Sequence, residues 1–422
     1  MVAQRPYQVV ILGATGFTGR LGVHYLKDRY GSSVKWLATG RSLDKLQALA
    51  KELTLDSSQL AQCDVTDADS LDFMVQQATT VINFAGTPFV DKAIPVVAAC
   101  ARHGTSYVDI TGEVPLQRAT YDRYHEDAKK SGALIVHQCG YDSIPSDLGA
   151  FLAANELRTR FGCGTKELKF FAGALKGGIS GGTLASALML MTSRTGDVPG
   201  AEAAKSRGAY ALDPPEVPCG PDRSDGGDQL VAFDERVGTW HMPFVMASAN
   251  APVVRKSDAL LGYGGASTAR PSYAEVMAVS SRGAALIGTA ALAVVLGALL
   301  LPPLRWLLFC LRVLPRPGEG PTEASREAGY FHTYTLGVGD VSAAIPPRVV
   351  AHVRSGTAGD PGYKATAQMA IEAGMCSALE REKCATEGGV LTPASAFGAT
   401  LVERLRRSGM ELYVEVHDSG RP

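Results

Sequence analysis

The chain lacks the cysteine and charge patterns that mark several large classes of protein. Its eight cysteines stand singly, at positions 63, 100, 139, 163, 219, 310, 376 and 384, with no CxxC pair and no cluster with histidine. This spacing disfavours a disulfide framework and a metal site, so we expect free thiols in a reducing compartment and no bound metal. Lysine and arginine (41) nearly balance aspartate and glutamate (42), and no basic run occurs. We therefore expect no nucleic-acid partner.

A leader segment is also missing from the sequence pattern. The first strand-like residues begin at Tyr7, so we expect neither a signal peptide nor a transit peptide.

Length and apolar content, in contrast, are ample. The 422 residues exceed one typical domain, and 46% of them are hydrophobic. Two domains with sizeable cores are therefore the expectation.

Residues 9–19, VVILGATGFTG, are the most informative segment of the chain. Four β-branched and aliphatic residues stop at Gly13, and Gly16 and Gly19 follow at three-residue spacing before a helical segment. A buried strand, a tight turn and a helix N-terminus in this order are typical of a dinucleotide pyrophosphate site. Gly13 would permit the turn, Gly16 the approach of the backbone to the phosphates, and Gly19 the close packing of helix on strand. The helix N-terminus would attract the anion, although a tight turn without a ligand is the alternative.

The first 140 residues alternate between strands and helices. We predict six strands, Tyr7–Leu12, Val34–Thr39, Leu60–Val65, Thr80–Ala85, Tyr107–Thr111 and Ala133–Cys139. The helical segments between them are Arg20–Tyr30, Leu43–Leu53, Ala68–Gln77, Lys92–His103 and Leu116–Ser131. This rhythm predicts an α/β fold with a doubly wound parallel sheet, whose ligands bind beyond the carboxyl ends of the strands.

The end of the second strand selects the cofactor. Sites for NAD usually place Asp or Glu here to hold the ribose 2′-hydroxyl, yet the segment reads LATGRS and has no acid. Arg41 could instead pair with a 2′-phosphate through charge-assisted hydrogen bonds. We therefore predict NADP(H) rather than NAD(H), with a solvated loop arginine as the alternative.

Residues at two further strand ends complete the predicted cofactor site. Asp64 could bond the adenine amino group and Val65 could cover the ring, while residues 83–86, NFAG, could leave room for adenosine and ribose. The predicted cofactor-binding set is Gly13, Ala14, Thr15, Gly16, Phe17, Thr18, Gly19, Arg41, Asp64, Val65, Asn83, Phe84, Ala85 and Gly86.

A candidate catalytic segment begins where the alternating rhythm ends. Residues 139–149, CGYDSIPSDLG, close the sixth strand and open a helix that Ser146 or Asp147 would cap. Tyr141 and Asp142 then lie near the expected nicotinamide position, the first as a proton donor and the second as an acid or base. The alternative is a helix-capping hinge between two domains.

Two segments of the middle region suggest less. The glycines of 177–183 could approach a ligand or only turn the chain before an apolar helix at 184–191. Residues 213–228 are rich in proline, glycine and aspartate, which predicts an exposed loop.

A long apolar stretch follows, since no charged residue occurs from 283 to 304. Its length is close to the ~20 residues that a membrane span needs, and a second apolar run follows at 306–311. Pro302 and Pro303 break the helix, and arginines flank both sides, so charge bias gives no orientation. A full span would place residues 320–422 on the opposite side from the first domain. We therefore predict that 283–312 is a helix–Pro-Pro–helix hairpin in one leaflet or a lipid-droplet monolayer, with a buried core helix as the alternative.

Seven motifs, in the same order, resemble those of the saccharopine dehydrogenase-like oxidoreductases, a family related to bacterial trans-acting enoyl reductases. They are GATGFTG, ATGRS, VINFAG, YVDITGE, YHEDAKKSGALIVHQCGYDSIPSDLG, LPRPGEGP and GGVLTPASAFG. The resemblance covers essentially the whole chain. It implies a Rossmann domain, here 1–148, a second α+β domain, 149–385, and a C-terminal segment, 386–422, that packs back on the first domain. It also implies a lipid setting, because members are associated with lipid droplets, membranes and complex lipid synthesis.

Three functions follow from these expectations. The first is an NADP(H)-dependent oxidoreductase that reduces a C=C or C=O bond of a lipid-like substrate, at a membrane or lipid droplet facing the cytoplasm. The second is a saccharopine-type amino-acid dehydrogenase, although no cluster of arginine and lysine in the middle region suits several substrate carboxylates. The third is a non-catalytic nucleotide-binding protein on a lipid surface. A soluble cytoplasmic or mitochondrial location is the alternative to a lipid surface, and we include a homodimer among the expected assemblies.

Overall fold

The structure is a computed structural model that describes most of the chain. The described residues are 5–86, 88–178, 184, 186, 188, 189, 192, 195–219, 230–266, 269–311, 313, 314, 320–343 and 345–417. Most of the predicted glycine turn at 177–183 therefore lies outside the described residues. The same holds for half of the predicted helix at 184–191 and for residues 220–228 of the predicted loop.

The first part of the chain alternates strands and helices, as its apolar pattern predicts. Its elements are β1 (Tyr7–Leu12), α1 (Phe17–Tyr30), β2 (Trp36–Gly40), α2 (Leu43–Leu53), β3 (Leu60–Gln62), α3 (Ala68–Gln76), β4 (Ala78–Asn83), α4 (Ala93–His103), β5 (Ser106–Asp109), α5 (Val114–Ser131) and β6 (Leu134–Val136). The six strands pair in parallel in the order β6-β5-β4-β1-β2-β3. The order reverses between β1 and β4, which is where a doubly wound sheet binds its ligand.

Strands β3, β4, β5 and β6 each end two or three residues earlier than predicted. Polar side chains that bond the nearby backbone end the first three. Asp64 accepts from Thr66 N (3.0 Å), Asn83 from Ala85 N (2.8 Å) and Asp109 from Thr111 N (3.1 Å). Such bonds turn the chain locally, and an apolar pattern does not record them.

The second part of the chain forms a mixed sheet with its covering helices. Its elements are α6 (Ile144–Phe161), β7 (Gly164–Lys176), α7 (Ala201–Arg207), β8 (Ala232–Asp234), β9 (Thr239–Pro243), α8 (Ala247–Leu261), β10 (Ser272–Val279), α9 (Arg282–Leu300), α10 (Pro302–Cys310), α11 (Glu323–Glu327), β11 (Tyr330–Asp340), β12 (Arg348–Arg354), α12 (Lys364–Leu379), β13 (Gly389–Leu391), α13 (Pro393–Arg407) and β14 (Glu411–His417). The sheet order is β14-β12-β11-β7-β10-β9-β8. Strands β7 and β10 are parallel, and the other pairs are antiparallel. The predicted fold class, a doubly wound domain with a second α+β domain, is confirmed.

The C-terminal part of the chain returns to both sheets. Strand β13 pairs in parallel with β6 and extends the first sheet, whereas β14 pairs with β12 at the edge of the second. Helix α12 packs against α1 and β4, although the sequence assigns its residues to the second domain. Glu372 of α12 accepts hydrogen bonds from Tyr30 of α1 (2.7 Å) and Arg404 of α13 (3.0 Å), which ties three helices together. The domain boundaries at 148 and 385 stay a prediction, because the C-terminal part of the chain contacts both sheets.

Helices α9 and α10 form an exposed apolar pair, which we call the apolar hairpin. Helix α9 is long and apolar enough to cross a membrane, with a mean hydropathy of 2.3, and only 6% of its most apolar window is buried. Ile287 and Val294 are 73% and 71% exposed. The alternative of a buried core helix is therefore wrong. Pro302 and Pro303 begin α10 after a break at Leu301, as the sequence predicts.

Candidate active site

Three glycines shape the turn between β1 and α1. Gly13 has a φ of +80°, and a Cβ there would lie 2.6 Å from Ala85 N. A Cβ on Gly19 would lie 2.1 Å from Gly13 O, so α1 can pack this closely on the turn only with glycine. A Cβ on Gly16 would meet only Gly13 O, at 3.3 Å, and Gly16 lines the cavity beyond the turn. The turn and the close packing therefore require glycine at positions 13 and 19.

The N-terminus of α1 suits an anion. Gly16 is the N-cap without a side-chain cap, and the first turn carries no acidic residue. The first N–H groups of a helix have no partners within the helix, and partial positive charge gathers there. Thr15, Gly16, Phe17 and Thr18 line the cavity at this point. The residues present therefore fit a pyrophosphate group.

Basic residues line the cavity where β2 ends. Arg41 and Lys45 are exposed there, beside Ser42, the N-cap of α2. Among the described residues, none forms a hydrogen bond or an ion pair with the Arg41 guanidinium. The backbone O of Arg41 accepts a hydrogen bond from Gln62 Nε2 (2.8 Å). Its charge is therefore available to a 2′-phosphate.

The loop after β3 lines the same end of the cavity. Asp64 keeps one carboxylate oxygen engaged with Thr66, accepting from its N (3.0 Å) and its Oγ1 (2.8 Å). These bonds hold the pKa of Asp64 below its ordinary value. Val65 is buried against the sheet and also lines the cavity. Both residues thus lie where the sequence predicts the adenine ring.

Eleven of the fourteen predicted cofactor residues line this cavity, and three lie behind its wall. Ala14 and Asn83 are fully buried, and Gly19 packs on Gly13. The Asn83 side chain donates to Tyr107 Oη (2.9 Å) and accepts from Ala85 N (2.8 Å), so it shapes the loop at the end of β4. Phe84, Ala85 and Gly86 of that loop line the cavity.

Tyr141 and Asp142 line the other end of the cavity. The Tyr141 ring meets Phe331 edge to face, with 4.9 Å between centroids, and its N donates to Thr366 Oγ1 (3.0 Å). Its hydroxyl is buried and bonds no described residue. Burial, with a smaller contribution from the Asp142 charge, raises the pKa of Tyr141 far above its ordinary value. Burial raises the pKa of Asp142 to about 6, so at neutral pH the tyrosine holds its proton and most of the aspartate is ionised.

Glu113 is a lining residue that the sequence analysis missed. It is almost fully buried, and it accepts hydrogen bonds from Phe89 N (2.9 Å), Val90 N (2.7 Å) and Ser186 Oγ (2.8 Å). Burial raises its pKa above the ordinary value. Glu113 lies in the motif YVDITGE just after β5, the strand next to β4, whose end is part of the predicted site. This position is the signal that could have identified it. These contacts show that Glu113 anchors the loop after β4 against the cavity.

Other missed residues come from distant parts of the chain. Tyr363 and Thr366, at the start of α12, line the cavity, and the Tyr363 ring meets the Phe17 ring edge to face at 5.1 Å. Val245, Met246, Ser248 and Ala249, from the end of β9 to the first turn of α8, also line the cavity. No local pattern identifies either group, because α12 reaches the site by packing on α1 and β4, and residues 245–249 reach it from the second sheet.

Together these residues enclose one continuous cavity of about 700 Å³. It extends from Arg41, past the glycine turn, to Tyr141 and Val245. Its volume lies within the range of known ligand sites, about 300–1,000 Å³. The cavity therefore joins a cradle for a dinucleotide to a second region that Tyr141 and Asp142 line.

Comparisons with known proteins identify the family. Residues 9–136 match the family model of the saccharopine dehydrogenase NADP binding domain. A Mycobacterium tuberculosis protein, whose trans-acting enoyl reductase name is provisional, is 36% identical over 429 residues, covering 97% of each chain. The trans-acting enoyl reductases of Mycobacterium bovis and Mycobacterium ulcerans are 33% and 32% identical over 427 and 425 residues, each with 97% coverage of both chains. This chain belongs to the trans-acting enoyl reductase family.

Solved structures share the fold of this trans-acting enoyl reductase homologue. Apo saccharopine dehydrogenase (L-Glu forming) from Saccharomyces cerevisiae matches with a TM-score of 0.55 and 12% identity, over 97% of this chain and 99% of that one. Homospermidine synthase from Legionella pneumophila matches with a TM-score of 0.50 and 10% identity, over 100% and 94%. Likeness at these identities shows the fold alone.

The family confirms the predicted class of enzyme and its cofactor. This trans-acting enoyl reductase homologue is an NADP-binding, saccharopine dehydrogenase-like oxidoreductase. The matched domain contains the glycine turn, Arg41, Asp64 and the end of β4, from which the sequence predicts NADP(H) over NAD(H). The individual contacts of these residues with the cofactor stay predictions.

Proposed function

We propose that this protein uses NADPH to reduce a C=C or C=O bond of a lipid-like substrate, with its apolar hairpin in one leaflet of a membrane or in a lipid-droplet monolayer facing the cytoplasm. The observation that carries the proposal is the exposed apolar hairpin, which emerges from the sheet whose strand β9 leads into lining residues Val245 and Met246. The names of the mycobacterial relatives add the enoyl group as the favoured bond.

Sheet topology favours a hairpin over a full span. Strands β10 and β11, which precede and follow the apolar hairpin, both pair with β7 in one sheet. The chain therefore leaves and rejoins the same folded body. Between the hairpin and β11, a Cβ on Gly320 would lie 2.5 Å from the Phe17 ring, so the returning chain reaches the dinucleotide cradle. A crossing to the opposite side of a membrane is incompatible with these contacts.

The dimensions of the hairpin suit a single leaflet. Helix α9 approaches Met242 of β9 at Gly288, and the twelve residues that follow, 289–300, are all exposed or half-exposed. At 1.5 Å per residue they extend about 18 Å, close to half of a hydrocarbon core of about 30 Å. Trp306 of α10 is 68% exposed, and Arg305 precedes it. Such residues are favoured at the membrane–water interface.

The cavity lining favours a lipid over an amino acid. Three cations occur among the described lining residues, and two of them, Arg41 and Lys45, lie at the adenosine end. Lys92 alone remains near the second region, where Phe89, Ile110 and residues 245–249 also line the wall. One cation does not match the several carboxylates of saccharopine, whereas the apolar wall suits an acyl chain.

The proposed chemistry divides between cofactor and protein. Bound NADPH would supply a hydride to one atom of the reduced bond. Thr15, Phe17 and Thr18 would hold its pyrophosphate at the N-terminus of α1. Tyr141 would donate the proton that the other atom needs, and its raised pKa keeps that proton available. Ionised Asp142 would oppose proton loss from the tyrosine, because the two charges repel each other.

Turnover tests the proposal directly. The detergent-purified protein is titrated with NADPH and NADH, then incubated with NADPH and an α,β-unsaturated acyl lipid while absorbance at the nicotinamide band and product mass are followed. NADPH consumption matched by a gain of two hydrogen atoms in the lipid supports the proposal. In a parallel assay with NADP+ as the oxidant, turnover of saccharopine alone would identify an amino-acid dehydrogenase. NADPH binding without turnover on any lipid extract would identify a non-catalytic protein.

Membrane association is tested by flotation with vesicles. Ile287→Asp with Val294→Asp places two charges on the exposed face of α9, and we expect the protein to leave the vesicle fraction because charge in the hydrocarbon region is costly. Phe73→Asp, on exposed α3 of the first domain, is the matched control and should float like the wild type. Flotation of the double variant would refute the hairpin. Light scattering of the detergent-purified protein tests the homodimer that we also propose.

A further inference from the structure

A short surface segment of the second domain also forms part of the cavity wall. Val245, Met246, Ser248 and Ala249, between β9 and the first turn of α8, all line the cavity. Val245 is 50% exposed, Ser248 is exposed, and the other two are partly exposed. We call residues 245–249 the portal segment, because it borders both the cavity and the outer surface.

The portal segment begins next to the base of the apolar hairpin. Met242 of β9 supports α9, since a Cβ on Gly288 would lie 2.4 Å from Met242 Sδ. β9 also pairs with β10, the strand from which α9 emerges. Two residues separate Met242 from Val245, which limits the distance between their Cα atoms to about 11 Å. Val245, a half-exposed lining residue, therefore lies within about 11 Å of the residue that supports α9.

Aromatic side chains lie near the base of the apolar hairpin, since Trp240 pairs with Val279, three residues before α9. On the neighbouring edge strand β8, Phe233 is exposed and packs against Trp240 of β9, with 5.4 Å between ring centroids. Arg236, in the turn between these two strands, binds Asp234 (2.8 Å) and Glu167 (2.8 Å). An aromatic edge beside an apolar hairpin is typical of a surface at the level of lipid headgroups.

We propose that the portal segment is the passage through which the acyl chain of a membrane-borne substrate reaches the cavity without crossing water. The passage rests on the proposed function, since it requires the hairpin to lie in a leaflet. It places the reacting bond beside Tyr141 and leaves the rest of the lipid in the membrane. Long acyl substrates should therefore depend on the portal segment more than short, water-soluble ones.

Fluorescence quenching tests the passage without relying on turnover. Cys219 and Cys310, the two exposed thiols, are replaced by serine. A bimane label is then attached at Val245→Cys, Val294→Cys or Lys51→Cys, and the protein is mixed with phosphatidylcholine vesicles that contain a doxyl-labelled lipid. Lys51, exposed on α2, is the matched control.

We expect strong quenching at 294, clear quenching at 245 and background quenching at 51. Quenching at 294 with only background at 245 would overturn the portal while leaving the hairpin intact. Background quenching at both 294 and 245 would refute the membrane-bound hairpin and, with it, the portal. The experiment thus separates a failure of the passage from a failure of the proposed function.

A kinetic comparison gives a second test. Val245→Glu places a charge in the passage, so we expect the loss in kcat/KM for a long-chain enoyl lipid to exceed the loss for a short-chain enone by about tenfold. The loss should appear in KM rather than in kcat, and the Kd for NADPH should not follow it. Equal losses for both substrates would indicate a general disturbance of the site and overturn the passage.

Discussion

Arg41 offers the sharpest test of the cofactor site. Its guanidinium is exposed at the end of β2, lines the cavity, and bonds no described residue. Replacing it with alanine therefore breaks no hydrogen bond or ion pair with a described residue, and removes only its attraction for the Asp64 carboxylate. The change should act on the 2′-phosphate of NADPH, which NADH lacks.

The expected magnitude follows from the exposure of the side chain. A hydrogen bond to a charged group contributes about 1.5–3 kcal/mol, which corresponds to a factor of about 10–150 in Kd. Solvent screens an exposed pair, and Lys45 remains one turn away on α2. We therefore expect Arg41→Ala to weaken NADPH binding by about tenfold and to leave NADH binding nearly unchanged.

Nicotinamide fluorescence or titration calorimetry measures both affinities. Lys51→Ala, on α2 but away from the cavity lining, is the control and should change neither Kd. The contribution of Arg41 to NADPH binding should also shrink at high salt, because screening weakens exposed ion pairs. Equal losses of NADPH and NADH affinity in Arg41→Ala would refute the assignment of the 2′-phosphate to this residue.

Three further predictions concern the glycine turn and buried carboxyl groups. Gly19→Ala should lower the unfolding free energy in urea by about 1–3 kcal/mol more than Gly16→Ala does, since a Cβ at 19 would meet Gly13 O at 2.1 Å and one at 16 at 3.3 Å; equal losses would contradict this. Turnover should fall as pH rises through about 6, because Asp142 ionises there and its charge opposes proton loss from Tyr141. A fall that persists in Asp142→Asn would exclude this origin. The pKa of Asp147 rises from 3.8 to about 7 by burial, so the folded chain keeps this proton to higher pH than the unfolded chain. The unfolding free energy should therefore decline between about pH 4 and 7, by on the order of 4 kcal/mol, and Asp147→Asn should remove that part of the decline.

Local chemistry explains why much of the cofactor site is predictable. The strand–turn–helix of residues 9–19 depends on neighbours in sequence, and Gly13 and Gly19 contact each other across six positions. Arg41 and Asp64 follow strand ends, and the carboxyl ends of parallel strands meet at one edge of the sheet. Membership of the trans-acting enoyl reductase family was also recognisable, because its motifs are contiguous.

The errors have a common physical cause. Strand ends were misplaced where the side chains of Asp64, Asn83 and Asp109 accept hydrogen bonds from the backbone N two residues farther along. The spacing and hydrophobicity of the residues do not report such bonds. Glu113 was missed because its partners, Phe89 and Ser186, lie 24 and 73 residues away. The packing of α12 on α1 and β4 was not predicted, because it depends on the return of the chain to the first sheet.

The sequence by itself determined the dinucleotide turn, the absence of an acid at the end of β2 and an apolar stretch broken by two prolines, because each of these is a property of adjacent residues. Only the tertiary structure decided that this stretch is exposed, that the chain enters and leaves it from one sheet, and that Val245, Met246, Ser248 and Ala249 line the cavity. The reason is the pairing of β10 and β11 on either side of β7, which unites strands more than fifty residues apart. That pairing fixes the base of the exposed apolar hairpin on the second sheet.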